Sequence, residues 1–221
     1  MIEKPSFFIR RATREDAGFL AEAIIMAGRA HVKRGIWEVV LGGTEGECLG
    51  FLKLLAVTRI PHLFHYSRYM IAEVDGSPAG IAGGYDPETQ GQDAMRQALP
   101  EVLEGLGRGP GGMQVSESTM NILSCIPEDI EGAWVIDSLA VLPEYRRLGL
   151  ARRLLEAIVG EGRSGGYKMA QVSMYIGNTP AQKLYEGMGF TVVSEGRCPE
   201  FEAEIGSPGM LSLVLEIGPD P

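Results

Sequence analysis

The sequence is poor in cysteine, in basic residues and in long apolar runs, and each shortage excludes a class of protein. Its three cysteines among 221 residues, Cys48, Cys125 and Cys198, are widely spaced and lack the C-x-x-C or histidine-flanked clusters typical of zinc sites. An odd count without such spacing also predicts no disulfide framework and fits a reducing compartment. We therefore expect a cytoplasmic protein.

The charge balance argues against polyanionic surfaces as partners. Aspartate and glutamate number 29 against 20 lysines and arginines, so the formal net charge at pH 7 is -9. Because nucleic-acid phosphates and anionic lipids are bound by basic faces, neither a nucleic acid nor a membrane surface is an expected partner. Charged residues interrupt the first 30 positions, and no run approaches the ~18 apolar residues of a membrane span.

The pattern of apolar residues predicts a mixed α/β protein. Thr13, with Asp16 three residues later, is a typical helix start, and Asp75-Gly76 is a typical two-residue hairpin turn. Thr179 is expected to cap another helix, with Pro180 in its first turn. Strands are predicted near 7–10, 69–74, 79–85, 134–142, 168–175, 190–194 and 210–217, and helices begin near 13, 44, 93, 150 and 179. This order predicts antiparallel hairpins at both ends of the chain and a β-α-β-α-β middle.

Residues 86 to 132 interrupt this pattern with four prolines and seven glycines. We interpret them as an insertion into a single domain that covers residues 1–221. Nine acidic residues against Arg96 and Arg108 give the insertion a net charge of -7, most of the charge of the chain. If the insertion bordered a binding site it would favour a cationic ligand, and the alternative is a solvated surface excursion.

The densest chemical signal is the predicted strand, turn and helix over residues 134–158. Gly149 lies in the turn, and residues 144–153 hold four arginines in an otherwise acidic chain. Unpaired N–H groups at a helix N-terminus attract anions, and a glycine lets the backbone approach a bulky phosphate. The segment therefore predicts a site for a polyanionic cofactor, and the alternative is an ordinary turn with solvated arginines.

Two motifs in this half of the chain resemble those of the GCN5-related N-acetyltransferases (GNAT). Arg146-x-x-Gly149-x-Ala151, behind the strand that contains residues 139–141, is similar to the acetyl-CoA signature of that family. The segment N-x-x-A-x-x-L-Y-E-x-x-G-F over residues 178–190 is similar to its later motif, and IRRATREDA over 9–17 resembles its first strand and helix. Residues 86–132 and much of 31–68 lie outside the resemblance.

The resemblance implies an α/β fold with a mixed, mostly antiparallel sheet, a splayed central parallel strand pair and flanking helices. Pantetheine would enter between the strands near 134–142 and 168–175, and backbone amides would hold it. The resemblance thus implies acetyl-CoA as the acyl donor, with no metal. The implied coenzyme contacts are Leu139, Ala140, Val141, Arg146, Arg147, Leu148, Gly149, Leu150, Ala151, Arg152, Asn178, Ala181 and Tyr185.

Two side chains are candidates for catalysis. The resemblance implies that Tyr185 protonates the leaving thiolate, since the ordinary pKa values of ~10 for a phenol and ~8.5 for a thiol permit such help. Its alternative is a core tyrosine. Asp137, a carboxylate in mid-strand, is a candidate general base, and strict alternation puts it on the side of Leu139 and Val141 unless a bulge intervenes. Its alternative is a structural hydrogen bond, and Glu73 or an ordered water could take the role of base instead.

The expected function is transfer of an acetyl group from acetyl-CoA to a primary amine of a small molecule, by direct attack in a ternary complex. A protein N-terminal or lysine acetyltransferase and a noncatalytic CoA-binding sensor are the alternatives. His62 and His65 have i, i+3 spacing but no third ligand, so a metal site is not expected there. With His31, they could line a pocket for a cationic acceptor. Since the family is often dimeric, a homodimer is left open.

Overall fold

Seven strands form one sheet in the computed structural model, which describes residues 6–109 and 116–218. The strand order is β1-β2-β3-β4-β5-β7-β6, and every neighbouring pair is antiparallel except β4 and β5. The strands are β1 Phe7–Arg11, β2 Tyr69–Val74, β3 Ser77–Tyr85, β4 Trp134–Val141, β5 Met169–Tyr175, β6 Thr191–Arg197 and β7 Gly209–Glu216. The predicted mostly antiparallel sheet with one central parallel pair is confirmed.

Helices cover both faces of the sheet. Among the described residues they are α1 Ala17–Arg29, α2 Ile36–Leu41, α3 Glu45–Leu55, α4 Pro87–Gln90, α5 Gln92–Gly105, α6 Glu117–Leu123, α7 Leu150–Ser164, α8 Thr179–Glu186 and α9 Pro199–Ile205. Helices α1 and α3 bury their apolar sides on one face, here called the α1 face, and α7 and α8 cover the opposite α7 face. None of these helices combines the length and the apolar character needed to cross a bilayer.

Each face has its own core, because alternate residues of a strand point to opposite sides of the sheet. On the α1 face, Leu20 of α1 and Leu52 of α3 pack with Ile71 of β2, and all three are essentially inaccessible. On the α7 face, Leu154 of α7 packs in the same cluster as Ile136 of β4. Burial of such side chains is the main source of stability that holds the sheet between its helices.

Polar contacts fix the start of the chain as the sequence predicts. The Thr13 amide donates to Asp16 Oδ2 at 2.7 Å, which is the predicted capping interaction at the entry to α1. Arg10 Nη1 lies 2.7 Å from Asp16 Oδ2 and Arg10 Nε lies 2.6 Å from Glu73 Oε1. One guanidinium thus connects β1, the start of α1 and β2. Glu73, the second candidate base, is paired here and not at the parallel strands.

Patterns of neighbouring residues predict most of the helices and strands correctly, but they do not predict the short helices. The hairpin is confirmed, with positive φ at Asp75 (48°) and Gly76 (80°), as a two-residue type I′ turn requires. The predicted cap of α8 is wrong by one position: the Gln182 amide donates to Asn178 O at 3.0 Å, so Asn178 is the N-cap and Thr179 is already helical. Helices α2, α4, α6 and α9 have seven residues or fewer, too few for a clear apolar period.

The 86–132 segment is largely helical in its described part. The helix expected near 93 is α5, which packs against α3, and α4 precedes it. Arg59 Nε lies 3.3 Å from Glu101 Oε2, which ties α5 to the loop after α3. Residues 110–115, which belong to the same predicted insertion, lie outside the described residues.

A disulfide joins Cys125, just after α6, to Cys198, just before α9. The two residues are 73 positions apart in sequence, but their Cα atoms are 6.2 Å apart. The expectation of no paired cysteines is therefore wrong, because spacing along the chain does not report proximity between distant segments. Cys48 is buried and free. The pairing removes the cysteine count as an argument for a reducing compartment.

His62 and His65 belong to the core between α3 and β2. His62 Nδ1 accepts a hydrogen bond from the Phe64 amide at 3.1 Å, so Nε2 carries the proton and donates to Thr58 Oγ1 at 3.1 Å. His65 Nδ1 lies 2.8 Å from Ser67 Oγ. Burial, helped by the neighbouring His65, lowers the pKa of His62 to about 4. Both side chains are buried, and residues 6–109 and 116–218 contain no group of three or more potential metal ligands.

Replacing His62 by glutamine should weaken the acid sensitivity of the fold. The folded protein keeps His62 neutral down to a pKa of about 4, whereas the unfolded chain takes up a proton near the ordinary value of 6.5. The free energy of unfolding should therefore fall as the pH drops from 6.5 to 4, by up to roughly 3 kcal/mol. Urea unfolding at several pH values measures this slope. His31→Gln, at an exposed ring, is the control, and a His62→Gln slope parallel to wild type would contradict the assignment.

Candidate active site

Strands β4 and β5 are paired only in their first halves. The parallel register ends at Ile136 opposite Val172. Beyond this point β4 continues to Val141 along β3, and β5 continues to Tyr175 along β7. Two unpaired backbone edges therefore face each other, and the predicted splay of the central parallel pair is confirmed.

A β-bulge in β4 accompanies the loss of pairing. Ser138 has a φ of 52°, and the register between β3 and β4 shifts beside it. Asp137 alternates onto the α1 face with Val135, whereas Leu139 and Val141 pack against the cluster of the α7 face. The side expected for Asp137 from strict alternation is therefore wrong, because the bulge reverses the alternation.

The bulged strand directs main-chain donors into the gap. The Leu142 amide donates to Ala79 O of the β3 side at 2.9 Å. Since successive N–H groups of a strand point to opposite edges, those of Leu139 and Val141 point toward the unpaired edge and that of Ala140 points to β3. Two of the three predicted amide contacts are thus oriented for an added, strand-like ligand.

The gap leads to the N-terminus of α7. Gly149, the N-cap, has a φ of 83°, and a Cβ placed there would meet no atom within 4 Å. The first helical bond runs from the Arg153 amide to Gly149 O at 3.2 Å, so the amides of residues 150–152 have no acceptor within the helix. Arg147 before it also has a positive φ, 64°. These donors and the helix dipole form an arrangement that binds phosphate.

The arginines of this turn act in different ways. Arg146 Nε donates to Val141 O at 3.2 Å and so braces the end of β4. Arg152 Nε lies 2.9 Å from Glu156 Oε1, one turn further along α7. Arg147 is exposed beside the helix start. Main-chain amides, more than a ring of arginine side chains, therefore define this end of the gap.

Helix α8 places Tyr185 on the α7 face. The Tyr185 ring is buried and meets Phe190 edge-on, with ring centroids 5.7 Å apart. Tyr185 is therefore packed in the core, as its alternative interpretation expects. Burial, with a smaller effect of the Asp137 carboxylate, raises the pKa of Tyr185 above its ordinary value. The hydroxyl is not among the enclosed polar atoms that lack a partner in the described chain.

Asn178 makes no side-chain capping bond. Of the other predicted contacts, Leu148 is exposed, Leu150 is buried, and Ala151 and Ala181 are half-buried.

Asp137 is the electrostatic centre of the site. Burial raises the pKa of Asp137, while Ser138 Oγ, which donates to its Oδ1 at 2.6 Å, lowers it. Asp137 as a residue is half-buried, and its carboxylate oxygens are not among the enclosed polar atoms that lack a partner in the described chain. Burial raises the pKa values of groups from five different segments, and the negative charge of Asp137 adds a smaller increase to each of them: Tyr69, Tyr85, Asp129, Tyr175 and Tyr185.

The sequence analysis did not single out Gln171, which clamps the end of the 86–132 segment. This β5 side chain is buried: its Oε1 accepts from the Ile130 amide at 2.7 Å and its Nε2 donates to Glu128 O at 2.9 Å. Both bonds flank Asp129, whose Oδ2 accepts from the Tyr85 hydroxyl at 2.9 Å. A glutamine within an otherwise apolar strand was the available signal, because a buried amide requires partners.

The strand registers place the residues that hold Asp129 on the same face of the sheet as Asp137. Tyr85, Val135 and Gln171 are paired across β3, β4 and β5, and Asp137 follows Val135 by two residues on the same face. Alternate residues of a strand lie about 6.6 Å apart. The end of the 86–132 segment is therefore packed on the α1 face at the start of the gap, and this part of it is not a solvated excursion.

His31 is the one candidate histidine near the gap. It follows α1 on the α1 face, and its Nε2 lies 3.3 Å from the position of a Cβ on Gly177, just after β5. Its ring centroid is 6.5 Å from that of Tyr175. The Tyr175 hydroxyl donates to Gly28 O at 2.7 Å, which fixes the end of α1 against β5.

Comparison with known proteins agrees with this geometry. The sequence matches the acetyltransferase (GNAT) family over residues 47–190, a range that includes the 86–132 segment but not the opening IRRATREDA. The chain therefore belongs to the GNAT acetyltransferase family. No match is found among curated proteins.

Solved structures share the fold. A crystal structure of an acetyltransferase has a TM-score of 0.68 at 22% identity, over 95% of this chain and 99% of its own. An N-acetyltransferase from Staphylococcus aureus Mu50 has a TM-score of 0.63 at 20% identity, over 94% and 100%. Diaminobutyrate acetyltransferase from Paenibacillus lautus, in complex with L-2,4-diaminobutyric acid and coenzyme A, has a TM-score of 0.52 at 13% identity, over 99% of each chain.

Replacing Gln171 by methionine should destabilise the protein although the two side chains have similar size. The change leaves the Ile130 amide and the Glu128 carbonyl without their partner. We expect a loss of about 2–4 kcal/mol in the free energy of unfolding. Denaturant unfolding measures it. Gln182→Met, which removes only a surface bond to Glu186, is the matched control and should cost at most about 0.5 kcal/mol. Equal losses in both variants would contradict the clamp.

Proposed function

We propose that this protein is an N-acetyltransferase that transfers an acetyl group from acetyl-CoA to an amine at the gap between β4 and β5. The observation that carries the proposal is the unpaired edge of β4 after Ile136, which leads to the open N-terminus of α7. Membership of the GNAT acetyltransferase family supports it. We also propose that residues 1–221 form one catalytic domain.

Acetyl-CoA, the acyl donor, would bind on the α7 face. The amides of Leu139 and Val141 would hold the pantetheine arm, and those of residues 147–152 would hold the diphosphate. Asn178 and Ala181 lie on α8, where they would contact the same ligand. Acetyl-CoA supplies an activated acyl group, and coenzyme A is present in the Paenibacillus lautus enzyme of the same fold.

The amine that accepts the acetyl group would bind on the opposite, α1 face. Asp137 lies on the α1 face while Tyr185 lies on the α7 face, so the gap separates a carboxylate from a phenol. The acceptor ammonium must lose a proton before its lone pair can attack, and in this proposal Asp137 receives that proton directly or through a water. As the new C–N bond forms, the C–S bond breaks, the sulfur keeps the bonding electron pair, and the nitrogen releases its second proton. One of the two released protons ends on the sulfur.

The proposed role of Tyr185 is to assist the leaving sulfur. Because its pKa is raised, Tyr185 keeps its proton and can donate a hydrogen bond, while full transfer to a thiolate of ordinary pKa is less favourable. Its contribution is therefore stabilisation of developing negative charge more than net proton delivery.

Two other functions are compatible with the same fold, and each predicts a different assay result. A protein acetyltransferase would acetylate peptides in preference to small amines. A noncatalytic sensor would bind coenzyme A and release no thiol with any acceptor. We favour the small-molecule function because the end of the 86–132 segment is bonded to Tyr85 and Gln171 on the α1 face, the proposed acceptor side of the sheet.

Gly149→Ala should weaken coenzyme A binding, whereas Gly160→Ala in the same helix should not. Alanine at a φ of 83° is strained by roughly 1 kcal/mol and adds a methyl group where the phosphates approach. Gly160 is in the helix interior with open space around it, so alanine there should stabilise by about 0.5–1 kcal/mol. Calorimetric titration with coenzyme A should show about tenfold weaker binding for the first variant only. Equal affinities, or no heat with wild type, would refute the donor site.

Tyr185→Phe should lower the rate of thiol release by about a hundredfold and leave coenzyme A affinity nearly unchanged. The buried ring and its contact with Phe190 are preserved, so the variant removes only the hydroxyl. Thiol release with saturating amine, together with the calorimetric titration, separates the two effects. A variant with wild-type turnover would leave Tyr185 with its core role alone.

A further inference from the structure

The disulfide between Cys125 and Cys198 borders an open groove. The groove has a volume of about 370 Å³ and is lined by residues 124–128 and 194–197. Cys125 is half-buried and contributes to this lining, whereas Cys198 is buried. Thiol–disulfide exchange requires that a thiolate reach one of the two sulfur atoms. The groove therefore gives a small reductant an approach to the disulfide from the side of Cys125.

The surroundings of the two sulfur atoms also suit the reduced state. Cys125 Sγ lies 3.2 Å from Asn121 O, and Cys198 Sγ lies 3.5 Å from Glu200 Oε2. A thiol at either position can donate to that oxygen. Cys198 Sγ also accepts from the Phe201 amide at 3.4 Å. Reduction therefore leaves neither cysteine as a buried polar group without a partner.

One side of the disulfide leads through α9 to the splayed end of β5. Phe201 of α9 is fully buried, and its ring meets that of Tyr175 edge-on with ring centroids 5.4 Å apart. Tyr175 is the last residue of β5, beyond the point where pairing with β4 ends. Its hydroxyl donates to Gly28 O at 2.7 Å and accepts from the Ile36 amide at 3.2 Å. Through Tyr175, α9 is therefore connected to the end of α1 and the start of α2.

The other side of the disulfide leads through residues 126–130 to the α1 face of the sheet. Gln171 bonds to the main chain on both sides of Asp129, at 2.9 and 2.7 Å. Asp129 Oδ2 in turn accepts from the Tyr85 hydroxyl at 2.9 Å. Cys125 is the covalent anchor that precedes these bonds. Both sides of the disulfide thus lead to the face on which the acceptor is proposed to bind.

The helices that the disulfide joins are too short to hold their positions alone. Helices α6 and α9 have seven residues each, and isolated helices of this length are unstable in water. They pack in a small cluster that contains Ile122 of α6, Phe201 of α9 and Tyr175. Because the disulfide links positions 73 residues apart, breaking it increases the conformational freedom of states in which the two helices separate. Reduction therefore favours that separation.

We propose that Cys125 and Cys198 form a reversible redox switch for the acceptor side of the gap. The disulfide holds the α1 face in the state that binds the amine, and reduction to two thiols weakens amine binding. The inference rests on the proposed function. The residues of both connections lie outside the cluster of the α7 face, so the binding of coenzyme A there is retained.

The switch works by exchange with a dithiol reductant. A thiolate of the dithiol attacks Cys125 Sγ, the bond between the cysteine sulfurs breaks, and the electron pair leaves with Cys198 Sγ, which takes up a proton. The second thiolate of the reductant then closes the reductant's own disulfide and displaces the Cys125 thiolate, which is protonated in turn. The dithiol thus loses two electrons and two protons, and the cysteine pair gains them.

Hydrogen exchange tests the two connections without an acceptor. Wild type purified without reductant is compared with the same protein after dithiothreitol, which should raise the thiol count in denaturant from one to three. The amides of Ile36 and Ile130 should exchange at least about tenfold faster after reduction, whereas those in the middle of α7 should keep their rates. An unchanged rate at either amide, an equal increase in α7, or three thiols before treatment would overturn the switch.

Steady-state kinetics test the acceptor side. The amine is the one that wild type acetylates fastest among diaminobutane, aminobutanol and a lysine peptide. Reduction should raise the KM for this amine at least about tenfold and change the Kd of coenzyme A by less than about twofold. Loss of thioester absorbance follows the reaction, because thiol reagents would also detect the reduced cysteines. Equal KM values, or an equal loss of affinity for amine and coenzyme A, would show a disulfide that only stabilises the fold.

Two variants identify the cysteines responsible. Cys198→Ser, whose hydroxyl can still accept from the Phe201 amide, should have the KM of reduced wild type and should not respond to dithiothreitol. Cys48→Ser keeps the disulfide and should respond as wild type does. A response in Cys198→Ser, or none in Cys48→Ser, would contradict the proposal. If Cys198→Ser does not fold, reduced wild type supplies the same comparison without a substitution.

The failures of the two proposals are distinguishable. Acetyl transfer that is insensitive to dithiothreitol would overturn this inference alone. No heat on titration of the oxidised protein with coenzyme A and no loss of thioester with any of the amines would overturn the proposed function, and this inference with it.

Discussion

The loss of pairing between β4 and β5 after Ile136 is the constraint on which the rest of the site depends. A parallel pair in the middle of a sheet normally satisfies its backbone groups along its whole length, and here half of one edge is left open. The bulge at Ser138 accompanies the separation. The strands stay apart because each is paired on its other side, β4 with β3 before and after the bulge and β5 with β7 along its whole length. The unpaired donors are thus held by intact ladders and cannot close on each other.

The same bulge assigns different chemistry to the two faces of the sheet. Without it, Asp137 would share the side of Leu139 and Val141, and the carboxylate would lie with the α7 helix start and Tyr185. With it, the carboxylate lies on the α1 face, which also carries Tyr69 and Tyr85, and the main-chain donors at the start of α7 remain on the other face. A negatively charged donor and a positively charged acceptor can therefore approach the gap from opposite sides, each toward groups of complementary charge.

Features encoded by neighbouring residues could be predicted from the sequence. The Asp75-Gly76 hairpin, the Thr13 and Asp16 helix start and the Gly149 helix entry each follow from a few adjacent side chains with a known backbone preference. The splayed parallel strand pair was predicted from the family resemblance, because a family fold includes contacts between segments that are distant in sequence. Boundaries were off by a residue where two adjacent polar residues could cap, as at α8.

The errors concern contacts between distant segments. The disulfide spans 73 positions, and the Gln171 clamp reaches over forty residues back to Ile130 and Glu128. Periodicity reports which face a residue occupies and not which distant segment covers that face, so neither contact was visible in the pattern. The bulge in β4 could be predicted only in part. The sequence shows an unusual carboxylate in mid-strand, Asp137, but the face to which it points depends on the register between β4 and β3.

The charge of the 86–132 segment illustrates why position matters more than a total. Its net charge of -7 suggests a broad negative field, but two of its acids are paired, Glu101 with Arg59 and Asp93 with Arg96. Exposed charges are also screened within about 8 Å at physiological ionic strength, so most of them act weakly on the gap. Asp129 differs because it is half-buried and Gln171 holds the backbone on both sides of it. In a medium of lower dielectric one such carboxylate acts more strongly than several surface acids, so its position on the α1 face matters more than the total charge of the segment.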